Sequence, residues 1–297
     1  MSGTADPWSA TVADWAAAQA DIRALVQIGS RVQPGAKPDA WSDYDYQLIT
    51  THPGRYRDGA FARALGPCWA VGAEGAFGNV TKVTAVYAGA READFVILSH
   101  LEVRIATLAL RFPGTAGLWP GPLRRGVGSL RRVAGEGWRV IKGGAAWERR
   151  YARIRPIRFR LTEREFAALC GHFWTQVVWA AKKAERGEWI ASQRALHVGL
   201  MEDALRLYEE EALLGGGPAH PLGRRAETWL SPEQARARSI GTAPERQALL
   251  AALGRLAAAF AASSAAVAAG QGWPDCDAAA VRTWLAGLAG GPPVSPT

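Results

Sequence analysis

At 297 residues, 48% of them hydrophobic, and with a net charge of +8, the chain suits one large globular domain or two ordinary ones. The N-terminal MSGTADPWSA lacks the basic and apolar regions of a secretory signal, and the Ala-rich Leu250–Gly270 stretch contains Arg255, so a soluble helix is expected and no membrane partner. Cys68, Cys170 and Cys276 are odd in number and far apart, which excludes a disulfide framework or a cysteine metal motif and leads to a cytoplasmic expectation.

The first predicted strand is the apolar run Ile22 to Ile28, ending in Gly29-Ser30. The second, Tyr44 to Ile49, is rich in aromatic and branched residues, and a turn-rich linker with Pro34, Gly35 and Pro38 joins the two. Residues i and i+2 of a strand face the same side, which sets Asp43 and Asp45 together. Two ionised carboxylates that close repel, and the repulsion is relieved either by a divalent cation or by full solvation on an edge strand. Mg2+ takes hard oxygen ligands, usually one or two carboxylates plus substrate phosphates. Gly29 lets backbone approach a ligand closely, and Ser30 offers a hydroxyl suited to phosphate oxygens.

A Gly-Ser pair, a twelve-residue spacer and Asp-Tyr-Asp resemble the signature of the nucleotidyltransferase superfamily, which calls for a third carboxylate on a neighbouring strand. Residues 82–99 read as a hairpin turning at Ala88-Gly89-Ala90. Asp94, at the head of its second arm, is the candidate, ahead of Glu92 and Glu102.

Residues 111–160 hold 13 of the 35 Lys and Arg but 2 of the 27 Asp and Glu. Such a concentration fits a polyanion site or a solvated arginine-rich connector between domains, and the connector is the expected reading. Beyond residue 160 the periodicity turns helical. Thr162-Glu163-Arg164-Glu165 opens a helix that Gly187 ends, and a second helix runs from Glu188 to Leu214. Ser231-Pro232-Glu233-Gln234 starts another, followed by helices near 243–269 and 276–288. Phe166, Leu169, Phe173, Val177 and Ala181 form a core stripe, and His172 and His197 read as packing residues. The predicted fold is α+β: an N-terminal nucleotidyltransferase-type mixed β-sheet domain with flanking helices (1–160, with the connector at 111–160), then a C-terminal α-helical bundle domain (161–297).

The order of elements, with Gly29-Ser30-Arg31, Asp43-Tyr44-Asp45, the hairpin bearing Asp94, the strand-turn Trp138-Arg139-Val140-Ile141-Lys142-Gly143 and the helix with Phe173-Trp174, resembles the aminoglycoside 6-adenylyltransferase (streptomycin adenylyltransferase) family. It departs from that family in the arginine-rich segment and at Lys142-Gly143-Gly144, where members commonly carry acidic residues beside the lysine. The resemblance implies Mg2+-dependent transfer of AMP from ATP to a hydroxyl of an aminoglycoside-like small molecule. Asp43 and Asp45 would hold Mg2+, and Asp94 would complete the metal site or take the acceptor's proton. Gly29, Ser30, Arg31 and Lys142 would bind the nucleotide. A polycationic acceptor calls for an acidic, aromatic pocket, for which Trp174, Glu202 and Asp203 are candidates, with Trp179, Trp189 and Glu209-Glu210-Glu211 behind them. Two alternatives stay open: a different acceptor, such as a nucleic-acid end or another natural product, or a non-catalytic nucleotide or RNA binder.

Overall fold

Strands whose side chains alternate between two buried faces must be covered on both sides, and the first half of the chain is built this way. The computed structural model describes residues 6–75, 80–156, 160–220, 223–237, 241–276 and 278–291, and the chain divides into two compact units, 1–158 and 159–297. In the first unit, β1 (Ile22–Ile28), β2 (Tyr44–Thr50), β3 (Cys68–Gly75), β4 (Thr81–Tyr87), β5 (Arg91–Ser99) and β6 (Arg139–Lys142) form one sheet in the order β3-β4-β5-β2-β1-β6. The β2–β5 pair is parallel and the other pairs are antiparallel. Leu25, Tyr46, Leu48, Phe95 and Ile97 form a core with Trp8, Val12 and Ala16 of α1 (Pro7–Ala18). On the opposite face Ala24, Val26, Ile28 and Ile49 meet Val103 of α2 (His100–Ala109), Val127 and Leu130 of α3 (Gly121–Ala134), and Trp147 and Tyr151 of α4 (Gly144–Tyr151).

The 111–160 segment, expected as a connector, contains α3, β6 and α4. β6 pairs with β1 as the edge strand. The arginines of α3 lie toward solvent while Val127, Leu130 and Ala134 are buried, so its charge decorates an amphipathic helix. Arg158 lies outside the described residues.

The second unit is helical: α5 (Glu163–Glu185), α6 (Trp189–Ala195), α7 (Met201–Leu214), α8 (Pro232–Ala237), α9 (Arg246–Gln271) and α10 (Ala279–Gly290). The predicted capping box is present, with Thr162 and Glu165 bonded reciprocally. Gly187, at φ +77°, ends α5. The helix expected over 188–214 is instead interrupted by a π turn at Leu196–Leu200 between α6 and α7. Phe173 stacks on Phe260 of α9 at 3.6 Å between ring centroids. Among the described residues α9 is long and apolar enough to cross a membrane, yet Leu249, Leu253, Leu256, Phe260 and Val267 are fully buried in this bundle.

Candidate active site

The second sheet face changes character along its strands. On β2 it reads Asp45, Gln47, Ile49 and on β5 Asp94, Val96, Leu98, with Asp45 opposite Asp94 in the parallel register. The apolar ends are covered by helices, and the polar ends bring Asp45 and Asp94 together with Asp43, just before β2. One oxygen of each carboxylate lies within 4.8 Å of the others, Asp94 buried and the other two half-buried. Asp94, expected at a strand head, stands three residues inside β5, where the β4–β5 register sets it opposite Thr84.

Asp94 is held from both sides. The Thr84 hydroxyl donates to its Oδ1 at 2.5 Å, and the Lys82 ammonium lies 2.8 Å from its Oδ2. Lys82 is one diagonal step from Asp94, paired with Val96, a separation that a long side chain spans. Burial works against the Lys82 charge, but the hydrogen bond and charge of Asp94, with Glu74 and Asp45 behind them, raise its pKa above the usual lysine value. Sequence reasoning missed Lys82, because only strand register brings it to Asp94.

Gly29 follows β1, and Ile28 pairs with Asp45 across the ladder. The turn has φ +76° at Gly29, whose carbonyl accepts from the N–H groups of Val32 and Gln33. A Cβ there would overlap Asp45 Oδ2 and come within 2.9 Å of its Cγ. The missing side chain is the space the carboxylate fills. Arg31 clamps the turn to β2: Nε donates to the Asp43 carbonyl at 3.0 Å and Nη2 to that of Ser42 at 2.6 Å, with the guanidinium 3.7 Å from the Tyr44 ring centroid. Ser30 is half-buried in the same turn.

Lys142 lies elsewhere. It pairs with Leu25, three residues back along β1 from Ile28, and its ammonium donates to the carbonyls of Ala16 and Gln19 at 2.6 and 2.7 Å. There it satisfies the orphan carbonyls at the C-terminal end of α1, away from the carboxylate end of the strands. The structure therefore does not bring Lys142 to the carboxylate cluster.

In the helical unit, Asp203 accepts from His172 Nδ1 at 2.6 Å, and burial pushes the Asp203 carboxyl above the ordinary carboxylate range. Glu202 beside it is exposed. Trp174 belongs to a different face: it is buried, packs edge-on to Phe173 and Phe260, and its indole N–H donates to the Cys276 carbonyl at 3.1 Å. Glu210 is fully buried, accepting from Arg160 Nε at 2.7 Å and the Leu161 N–H at 2.9 Å, which makes it a packing carboxylate.

A mixed sheet that presents a Gly-Ser turn and three converging carboxylates resembles a nucleotidyltransferase domain in arrangement. Residues 5–77, which hold Gly29, Ser30, Arg31, Asp43 and Asp45, match the model of the family described as streptomycin adenylyltransferase. No curated protein matches the chain. Among solved structures it is similar to an aminoglycoside 6-adenyltransferase from Bacillus subtilis, at 15% identity and TM-score 0.44, covering 96% of this chain and 100% of that one. It is also similar to a nucleotidyltransferase-like protein from Exiguobacterium sibiricum, at 10% identity and TM-score 0.36, covering 87% and 74%.

Proposed function

We propose that the protein is a Mg2+-dependent adenylyltransferase that moves AMP from ATP to a hydroxyl of an aminoglycoside-like cation. The observation that carries this reading is the convergence of Asp43, Asp45 and Asp94. Three carboxylates so close repel one another, and a hard cation relieves that repulsion. The donor set fits the ion: it is all oxygen, and Gly29 leaves room for the Asp45 carboxylate. When bound there, a divalent ion would supply charge neutralisation for the triphosphate and the leaving pyrophosphate.

Each residue has a positional task. Asp43 and Asp45 would hold the ion, with Asp94 as the third carboxylate, aimed by Thr84. The turn at Gly29 and Ser30 carries the phosphates, and Arg31 keeps that turn against β2 through the carbonyls of Ser42 and Asp43. In the reaction an acceptor oxygen forms a bond to the α-phosphorus and the bond to the pyrophosphate oxygen breaks. The hydroxyl proton leaves to water. On the helical unit Glu202 and Asp203 supply negative charge for a cationic acceptor, whereas the burial of Trp174 removes it from that role.

The test is incubation of the full chain with each nucleoside triphosphate, Mg2+ and a panel of aminoglycosides including streptomycin, followed by mass spectrometry. A mass gain of one adenylyl group, dependent on Mg2+ and specific to ATP, is the expected result. Nucleotide binding that is indifferent to divalent ions would refute the assignment.

A further inference from the structure

The carboxylate cluster contains a cation of its own. Lys82 rises from β4 with its ammonium 2.8 Å from Asp94 Oδ2, while its stem lines a cavity of about 210 Å³ with Val96, Leu98, Val103 and Leu130. A lysine with an apolar stem along a cavity and its charge at the polar rim can move its head group while the stem stays packed. The Thr84 hydroxyl takes the other Asp94 oxygen, so both oxygens of the third carboxylate carry a partner. A divalent ion on Asp94 would need an oxygen at about 2.0–2.1 Å, and an ammonium bonded to the same oxygen would face it as a like charge at close range. The two cations therefore compete for one ligand.

We propose that Lys82 is a mobile nucleotide ligand: it neutralises Asp94 in the metal-free protein, yields that carboxylate to the divalent ion, and then pairs with the triphosphate that arrives with it. This inference rests on the adenylyltransferase reading of the site. Its chemistry is charge exchange without loss, since the ammonium leaves one anion for another. A compact ammonium on a flexible four-carbon stem suits that movement.

The exchange makes opposite predictions for two affinities. Full-length wild type, Lys82→Met, Lys82→Gln and Lys82→Arg are titrated by calorimetry with Mn2+ alone, then with a non-hydrolysable ATP analogue in saturating Mn2+, and melted without metal to confirm folding. Removing the competing cation in the Met and Gln variants should tighten Mn2+ binding roughly tenfold, and losing one charged hydrogen bond to phosphate should weaken the analogue roughly tenfold. Lys82→Arg should stay near wild type in both. Weaker Mn2+ binding in the Met and Gln variants would overturn the inference, making Lys82 a fixed support for Asp94. Unchanged analogue affinity would overturn it as well. If wild type binds both probes and only the variants fail the pattern, the adenylyltransferase reading stands; if wild type binds neither, both fall.

Discussion

Gly29→Ala separates what the fold requires at this turn from what the site requires. The glycine has φ +76°, where an L side chain costs about 1–2 kcal/mol. For a unit of this size each kcal/mol corresponds to about 2–4 °C in Tm, so the variant should melt about 2–8 °C lower. The new Cβ would overlap Asp45 Oδ2 and stand 2.9 Å from Cγ. A carboxylate at the end of a short side chain escapes by rotation, so the overlap adds little to the folding cost. Its functional cost is large, because the rotation takes an oxygen out of a cluster that spans 4.8 Å, and a displacement of about 1 Å in a reacting constellation costs about 10²-fold. Calorimetric titration with an ATP analogue and Mg2+, alongside a melt, reads both terms. Analogue binding within twofold of wild type in a variant that melts lower would refute the placement of Asp45 at the metal, and an unchanged melt would refute the strain argument.

Four further outcomes follow from particular contacts. Asp45→Asn should abolish most divalent-dependent nucleotide binding while its metal-free Tm holds level or rises, since one of three repelling charges is gone; a marked fall in Tm would make the aspartate structural. Lys142→Met should cost about 1 kcal/mol by uncapping the carbonyls of Ala16 and Gln19 and leave analogue affinity within about twofold, measured by denaturant melts and calorimetry. Glu210→Ala should destabilise the helical unit by about 1–3 kcal/mol, because it leaves the buried Leu161 N–H unsatisfied and removes the charged hydrogen bond from Arg160, and a chemical melt checks it. Burial raises the Asp21 carboxyl, but hydrogen bonds from Tyr56 and Thr50 and the charge of Arg55 outweigh it and leave its pKa lowered. That contribution is complete above the unfolded value of about 3.9 and is lost as pH falls through the lowered folded value, so Asp21→Asn should narrow its stability gap to wild type below about pH 4.

What was legible in the sequence was local. The i, i+2 rule places Asp43 and Asp45 together without any knowledge of the sheet, and the hairpin at residues 88–90 is visible because Gly89 supplies its turn. The third carboxylate was sought because the resemblance calls for one on a neighbouring strand; that Asp94 stands directly opposite Asp45 follows from β5 lying parallel to β2, which no local pattern shows. The connector reading of 111–160 failed for a related reason. Counting arginines registers charge, but the spacing of Val127, Leu130 and Ala134 decides that α3 has a buried face.

The run Glu209-Glu210-Glu211 shows why composition misleads on a helix. Three consecutive carboxylates read as a solvated face, yet successive helical residues point about 100° apart, so such a run must cross more than one face. Ala204, Leu207 and Tyr208 mark the buried side of α7, and Glu210 shares it. Its hydrogen-bonded counter-charge, Arg160, is fifty residues earlier in the chain, while Arg206, one turn back on α7, stands 4.0 Å from its other oxygen.

The two lysines make the same point about strands, with opposite results. Lys142 ends a strand and precedes a glycine pair, the local look of a phosphate contact, while Lys82 is the second residue of β4, in a run whose local pattern does not single it out. Register reverses their standing. β6 meets β1 with Lys142 opposite Leu25, which sends the ammonium to the end of α1, and β4 meets β5 with Thr84 opposite Asp94, which brings Lys82 within one diagonal step of the carboxylate. A shift of one residue in the β4–β5 ladder would turn Lys82 to the face of Phe95 and Tyr46, burying an unpaired ammonium in an aromatic core. The ion pair with Asp94 and the hydrophobic pattern of β4 therefore select the same register, and the residues that build the candidate site also help to fix the sheet that carries it.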